Sequence, residues 1–531
     1  MTETNKTPAG PATQSAGGLP LLSTTPEKIR LHFQTTLSTP GETPEPFADA
    51  KDTKVFRGAV DAGLRILPVR YHDTYVQVLK LAVDQAEASI KASRFGRDKR
   101  RTLVVKQLVE VFQTLAAPIM QLDSARRESE LKAYLALTSN IYQRFLGDSE
   151  IRKLNKGSGK WPELDPLGYF LSGDSGPFTL PPSPELPVSI VAKPANLAAC
   201  VPLWVLDGHE VGGHGIHSTV QGFDLEIADL VEKTIRQAIS SGTFTMAGAK
   251  LSKLATSLLS TDVSPENFLS RLMRNFALEL AADIAGVLNF GPMFANGLML
   301  YLSAESPSGK LSNLGRLVAK ERIDAHPPDR LRALVALAAV GKLGLTNQKS
   351  IDNELKKRYQ SLRDDSTNLL GFRDETDTFT VNWPLSDFEA LVEALSTALL
   401  DGKLKCLGNR SLKQVLTWTQ RDEAETLKLS QTMLKAKFRM QEGDFEPRHI
   451  VSASLIAVEQ AAKKTDFSTQ AALIQKNSIA LLKDFYLEQC LLCAVPTYAK
   501  TRRNETSFSA LTELTDIAAR IKRLQQDNQS M

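Results

Sequence analysis

The stretch that most limits what this chain can fold into runs Leu203-Trp-Val-Leu-Asp-Gly-His-Glu-Val-Gly-Gly-His-Gly-Ile-His217. The chain has 7 histidines in 531 residues, and His209, His214 and His217 all fall in this one stretch. Residues 201–206, just before them, are apolar on every side. A helix of that kind belongs in a protein interior, so the segment carries His209, Glu210 and His214 inward. Buried imidazoles and a buried carboxylate are costly unless a charge or a hydrogen bond meets them. The fold must therefore bring such a partner to this helix.

A divalent metal is one such partner. His-Glu followed by a second His on a helix is the arrangement that zinc hydrolases use. Histidines at i and i+4 lie about 40° apart around an α-helix, at roughly 100° per residue. His209 and His214 are five apart, about 140° by the same rule, and a regular α-helix would not converge them. Gly212 and Gly213 lie between them and relax the backbone. A π-bulge absorbs one extra residue and occurs mostly at functional sites. The pattern reads as a zinc helix with one residue inserted.

His209-Glu-Val-Gly-Gly-His214 resembles the HExxGH motif of zinc peptidases of the dipeptidyl-peptidase III type. In that family and in related gluzincins the third ligand is a glutamate on a later helix, followed four residues on by an acidic residue. Glu279-Leu-Ala-Ala-Asp283 is similar to that pair, and His326-Pro-Pro-Asp-Arg-Leu-Arg332 is similar to a His-Pro segment found after the third ligand in several helical gluzincins. The resemblance covers roughly residues 185 to 335 and is not a full-length match. It implies a zinc-dependent hydrolase of peptide bonds more than it implies a substrate.

The residues around Glu279 support the same site. Ser264-Pro265-Glu266 is a helix start, with a capping hydroxyl, proline in the first turn and an acid at the positive end. On the helix it opens, Leu272, Phe276, Glu279, Asp283 and Val287 share one stripe. Two carboxylates on an apolar face are expensive when uncompensated. Zinc on Glu279, with Asp283 on the second nitrogen of a ligand histidine, resolves both. The competing reading is an ion pair with arginines such as Arg271 or Arg332.

The expected site therefore has His209, His214 and Glu279 on one Zn²⁺ with an open fourth position, and Glu210 as general base. His326, or else Tyr301, is the candidate donor to the developing oxyanion. His217 is expected beside the site; a His209/His214/His217 ligand set is the alternative and leaves Glu279 unexplained. Asp207 is read as either a capping or orienting residue or an exposed helix start. Two further classes compete with a peptidase. One is a non-catalytic helical interaction protein that keeps a zinc site, against which the base Glu210 speaks. The other is an HD-type metal phosphohydrolase, suggested only by His72-Asp73 with His32 upstream.

Length and composition set the frame. The chain is long enough to bury a large core in two or three subdomains, and 42% hydrophobic with 23% charged residues is ordinary globular composition. A net charge of +4 with interspersed signs gives no reason to expect nucleic acid; the basic cluster 94–101 reads as a solvated connection. No run of about 18 apolar residues marks a membrane span, and 4 cysteines suit a reduced, cytoplasmic protein. Cys490-Leu-Leu-Cys493 lacks a second pair and reads as helix core.

The expected architecture is mainly α: a multi-helix, zincin-like metallohydrolase with at most a small β element near the active site. Residues 1–45 read as a disordered tail, 46–156 as an N-terminal helical subdomain, 157–345 as the catalytic zinc-binding helical domain and 346–531 as a C-terminal helical subdomain. Helices are expected near 74–92, 101–121, 124–146, 225–240, 245–259, 329–339, 347–364, 385–400, 410–438, 448–463, 468–493 and 505–525. Val188-Ser-Ile-Val-Ala192 is a strand candidate, either packing or aligning a peptide substrate by edge pairing, and 376–383 alternates like a strand. A peptide or protein substrate is the expected partner.

Overall fold

The computed structural model describes residues 22–489 apart from gaps, the longer ones at 40–52, 94–113, 172–176, 245–249, 252–264, 375–379 and 436–444. The described chain is mainly helical, as expected. No described helix is long and apolar enough to cross a membrane. One apolar cluster draws on residues from Leu22 to Phe485. A second joins the helices Thr53–Ile66 and Gln77–Ser93 to a small sheet, through Phe56, Tyr71, Tyr75 and Leu79 on one side and Leu167, Val188 and Ile190 on the other.

The helix Ala277–Phe290 lies at the centre of the larger cluster and is buried throughout except at Leu278. Each large apolar side chain so buried, from Leu280 and Ile284 to Val287, Leu288 and Phe290, stabilises by about 1.5–3 kcal/mol, which fixes the helix carrying Glu279 and Asp283. The helix before it, Pro265–Asn275, ends in an irregular turn at Phe276, so the expected single stripe is shared by two nearly continuous helices. The expected cap Ser264 lies outside the described residues. Gly291 separates Ala277–Phe290 from Pro292–Glu305 at φ +59 and ψ −142, backbone that favours glycine, and a Cβ there would meet the Trp418 ring at 2.5 Å.

The β content exceeds one small element. A three-stranded sheet has the order β1 (Leu167–Leu171), β3 (Ile190–Pro194), β2 (Phe178–Leu180), with β3 parallel to β1 and antiparallel to β2. A five-stranded sheet has the order β4 (Lys250–Leu251), β8 (Thr380–Pro384), β7 (Leu369–Asp374), β5 (Leu314–Val318), β6 (Arg322–Ile323). Of the strand expected at 376–383, residues 380–383 belong to β8 and 376–379 lie outside the described residues. The helix expected at 245–259 is overturned at residues 250–251, which form β4; 245–249 and 252–259 lie outside the described residues.

The expectation of a disordered stretch up to residue 45 is corrected for 25–39. Pro26–Ser38 is a helix with Ile29 and Phe33 buried, packed on Pro292–Glu305. Low apolar content hid it, since two buried side chains suffice when polar anchors assist. The Ser23 amide donates to Glu459 Oε2 at 2.8 Å, and Arg358 donates to both Ser23 O and Glu459 Oε2. Residues 1–21 and 40–45, the cluster 94–101, the pair Cys490/Cys493 and the helix expected at 505–525 lie outside the described residues, as does most of the helix expected at 101–121. In the C-terminal third, the helix expected at 410–438 is instead Leu412–Val415 and Gln420–Met433.

Candidate metal centre

The segment that opens the site changes pitch twice. Val201–Leu206 is a 3₁₀ helix rather than the α-helix its apolar run suggests, Asp207–His209 is a single α turn, and Glu210–Gly215 is a π-helix. The inserted residue is absorbed there: the Ile216 amide donates to Val211 O, five residues back. Bonds of that span widen the turn and bring residues five apart to one side, so His209 and His214 converge.

The glycines contribute mainly by close approach. Gly208, Gly212 and Gly213 have ordinary negative φ. A Cβ at Gly213 would lie 2.4 Å from Ala282 Cβ, and one at Gly208 would lie 2.7 Å from Gly286 Cα. Without side chains at these points, the segment sits directly against Ala277–Phe290, the helix that carries Glu279.

His209, His214 and Glu279 form the one group of three or more His, Cys, Asp or Glu able to hold a metal ion among the described residues. Their facing atoms are closely spaced: His209 Nε2 to His214 Nε2 is 3.1 Å, His209 Nε2 to Glu279 Oε2 is 3.4 Å, and His214 Nε2 to Glu279 Oε1 is 3.0 Å. A tetrahedral ion bonded at about 2.0–2.1 Å has ligand atoms about 3.3 Å apart, so the spacing fits. Glu279 Oε2 is buried with no hydrogen-bond partner, the orphaned acceptor that a metal satisfies. His214 remains one-third exposed, so one side of the group is open.

Behind the group, Asp283 Oδ1 lies 2.8 Å from His209 Nδ1. Arg332 donates to both Asp283 oxygens, at 2.8 and 2.9 Å. Asp283 thus contacts both partners weighed for it, the His209 ring and the Arg332 guanidinium. Burial and Arg332 push the His209 imidazole down, but Asp283 and Glu279 outweigh them and raise it to about 10. Burial pushes Glu279 up, yet His214 and His209 hold it well below the usual carboxylate range. The cluster favours positive charge at its centre, the condition that a divalent cation meets.

The other expected residues surround this group. Glu210 opens the π-helix and is half-buried. His326 Nε2 is 3.8 Å from Glu279 Oε1 and one-third exposed. Tyr301 is half-buried; burial, then Glu305 and Glu210, raise its hydroxyl far above the ordinary tyrosine range. His217 stands outside the metal group: its ring stacks on Phe223 at 4.0 Å, and burial, with His214 and His209 nearby, pushes it down to about 3. Its Nε2 has no partner. For the HD reading, His32 packs on Phe467 and His72 Nε2 meets Leu67 O, and neither joins a metal-competent group among the described residues.

Two readings are corrected by burial and pairing. Asp207 is not an exposed helix start: it is buried and pairs with Lys193 at 2.6 Å. Burial pushes its carboxyl up and Lys193 pulls it back, leaving it raised to about 6. Lys193 went unnoticed, although it is the one charge in Val188–Pro194. The strand containing it cannot align a substrate by edge pairing, because β3 is central and both its edges are taken. Edge strand β2 packs on the π-helix instead, where Thr179 Oγ1 donates to Glu210 O at 3.4 Å. No protein-family model, curated protein or solved structure matches this chain.

Proposed function

We propose that this chain is a zinc-dependent peptidase with His209, His214 and Glu279 as its metal ligands. The observation that carries the proposal is the meeting of His209 Nε2, His214 Nε2 and the Glu279 carboxylate, one ligand atom from each within 4.8 Å of the others, with the Glu279 Oε2 oxygen buried without a hydrogen-bond partner. Two imidazoles and one carboxylate with an open side are the donor set of catalytic zinc sites. Zinc held there supplies a Lewis acid and brings the pKa of a bound water to about 7.

The remaining chemistry falls to the chain's own groups. Glu210, next to His209 in sequence, accepts a proton from the attacking water and delivers it to the departing amine nitrogen. The water oxygen bonds to the carbonyl carbon, the carbon–nitrogen bond breaks, and an acid and an amine leave. Tyr301, whose hydroxyl holds its proton across the working pH range, and His326, beside Glu279, are the donors available to the developing oxyanion. Asp283 and Arg332 keep His209 in place.

The test is zinc content and peptide hydrolysis for the wild type and for Glu210→Gln. The expected result is equal zinc in both and turnover in the wild type alone. Zinc without turnover in either would favour a helical interaction protein that keeps a zinc site, and no zinc in the wild type would remove the proposal.

A further inference from the structure

The Lys193–Asp207 pair is buried beside the start of the metal segment, and no chemical step proposed above uses it. Lys193 projects from the central strand β3, is 3% exposed, and donates to Asp207 Oδ2 at 2.6 Å. Its ammonium lies 5.1 Å from the Tyr134 ring centroid and 5.4 Å from that of Trp204. A buried ion pair adds little stability beyond what well-packed apolar residues would supply. Where such pairs have an attested role, it is to fix a register or a switch.

The backbone around Asp207 shows which register is at stake. Its amide donates to Trp204 O and Val205 O, closing the 3₁₀ helix. Its carbonyl accepts from the Glu210 amide, the first residue of the π-helix. Asp207 therefore sits where the pitch changes, two residues before His209. The C-terminal end of the π-helix is held against Ala282 by the contact at Gly213. At the N-terminal end Gly208 likewise lies close to Gly286, and among the described residues the Asp207 carboxylate is hydrogen-bonded by Lys193 of the strand.

We propose that Lys193 and Asp207 are positioning residues that hold the metal segment in its π register, so that His209 and His214 point at one ion. This rests on the metal reading above but not on the peptidase activity, because metal binding alone tests it. Lys193→Met leaves Asp207 buried and unpaired; Lys193→Met/Asp207→Leu removes both charges and fills the space with apolar groups. Zinc affinity is measured by competition with a chelator, helix content by circular dichroism, and ligand geometry by the visible absorption of the cobalt-substituted protein.

Supporting residues of metal ligands change affinity by about 10–100-fold, and a loss of that size is expected in both variants. The double variant is expected to keep wild-type helix content and thermal stability while its cobalt bands shift. If the double variant instead binds zinc as tightly as the wild type, with an unchanged cobalt spectrum, the pair only balances charge and the inference is overturned. A wild type that binds no zinc would be a separate failure, of the metal reading itself, and would remove this inference with it.

Discussion

Asp283 Oδ1 lies 2.8 Å from Nδ1 of His209, on the side of the ring away from Glu279. The carboxylate orients the imidazole: an Nδ1–H aimed at Asp283 leaves Nε2 to face His214 and Glu279. Arg332 Nη2 is 3.1 Å from the same Nδ1, but a guanidinium has only donors, so the ring proton is directed to the carboxylate. Removing that carboxylate with Asp283→Ala should lower zinc affinity by about 10–100-fold. It also strands Arg332 among buried atoms, so unfolding free energy should fall by about 3–5 kcal/mol. Chelator competition and denaturant unfolding read the two effects separately, and an unchanged affinity would show that Asp283 serves only Arg332.

Zinc should raise the thermal stability of the wild type and leave Glu279→Gln nearly unmoved. At a free zinc concentration 1,000 times the dissociation constant, binding to the folded state alone stabilises by about 4.1 kcal/mol. The measurement is Tm with and without zinc. A similar shift in both proteins would mean that Glu279 is not a ligand.

Close packing at the glycines gives a prediction independent of chemistry. Gly213→Ala places a methyl 2.4 Å from Ala282 Cβ, and relieving that overlap should cost about 1–3 kcal/mol while prising the metal segment from Ala277–Phe290. Gly58 is the control: it lies inside the helix Thr53–Ile66 with nothing within 4 Å of an added Cβ. Alanine there should be neutral or stabilise by up to about 1 kcal/mol. Denaturant midpoints and zinc affinity for the two variants test the contrast.

An acid-stability prediction comes from Asp148, remote from the metal group. It caps the helix Ser149–Asn155 by accepting from the Glu150 and Ile151 amides and pairs with Arg410. The Arg410 hydrogen bond, opposed by burial and helped by the cap, lowers its carboxyl to about 2. A depressed carboxylate stabilises the fold fully above its unfolded pKa of about 3.9 and loses that contribution as pH falls toward the folded value. Unfolding midpoints of the wild type should therefore drop between about pH 4 and pH 2, and Asp148→Asn should flatten that part of the curve. Parallel curves for the two proteins would exclude Asp148 as a source.

Much of the candidate site was legible because its residues break a local rule. His209 and His214 follow an apolar run, and Glu279 and Asp283 interrupt an apolar stripe; each is expensive alone and sensible together. The π-bulge followed from counting five residues against a 3.6-residue repeat. What stayed hidden depends on distant strands and helices. Lys193 reads as an ordinary strand residue until Asp207 is seen beside it. Val188 to Ala192 reads as an edge until β1 and β2 flank it. The helix Pro26–Ser38 has a weak apolar pattern, because its seat is made by residues hundreds of positions later.

That seat orders events during synthesis. The Ser23 amide is held by Glu459, and Leu22 by Glu354, so the earliest described residues must wait for some of the latest ones. Contacts so distant along the chain slow folding, and large chains that pass through partly formed states expose apolar surface meanwhile. Ile29 and Phe33 are therefore exposed on the nascent chain at least until Pro292–Glu305, the helix they pack on, has left the ribosome, a period in which a chaperone could bind them.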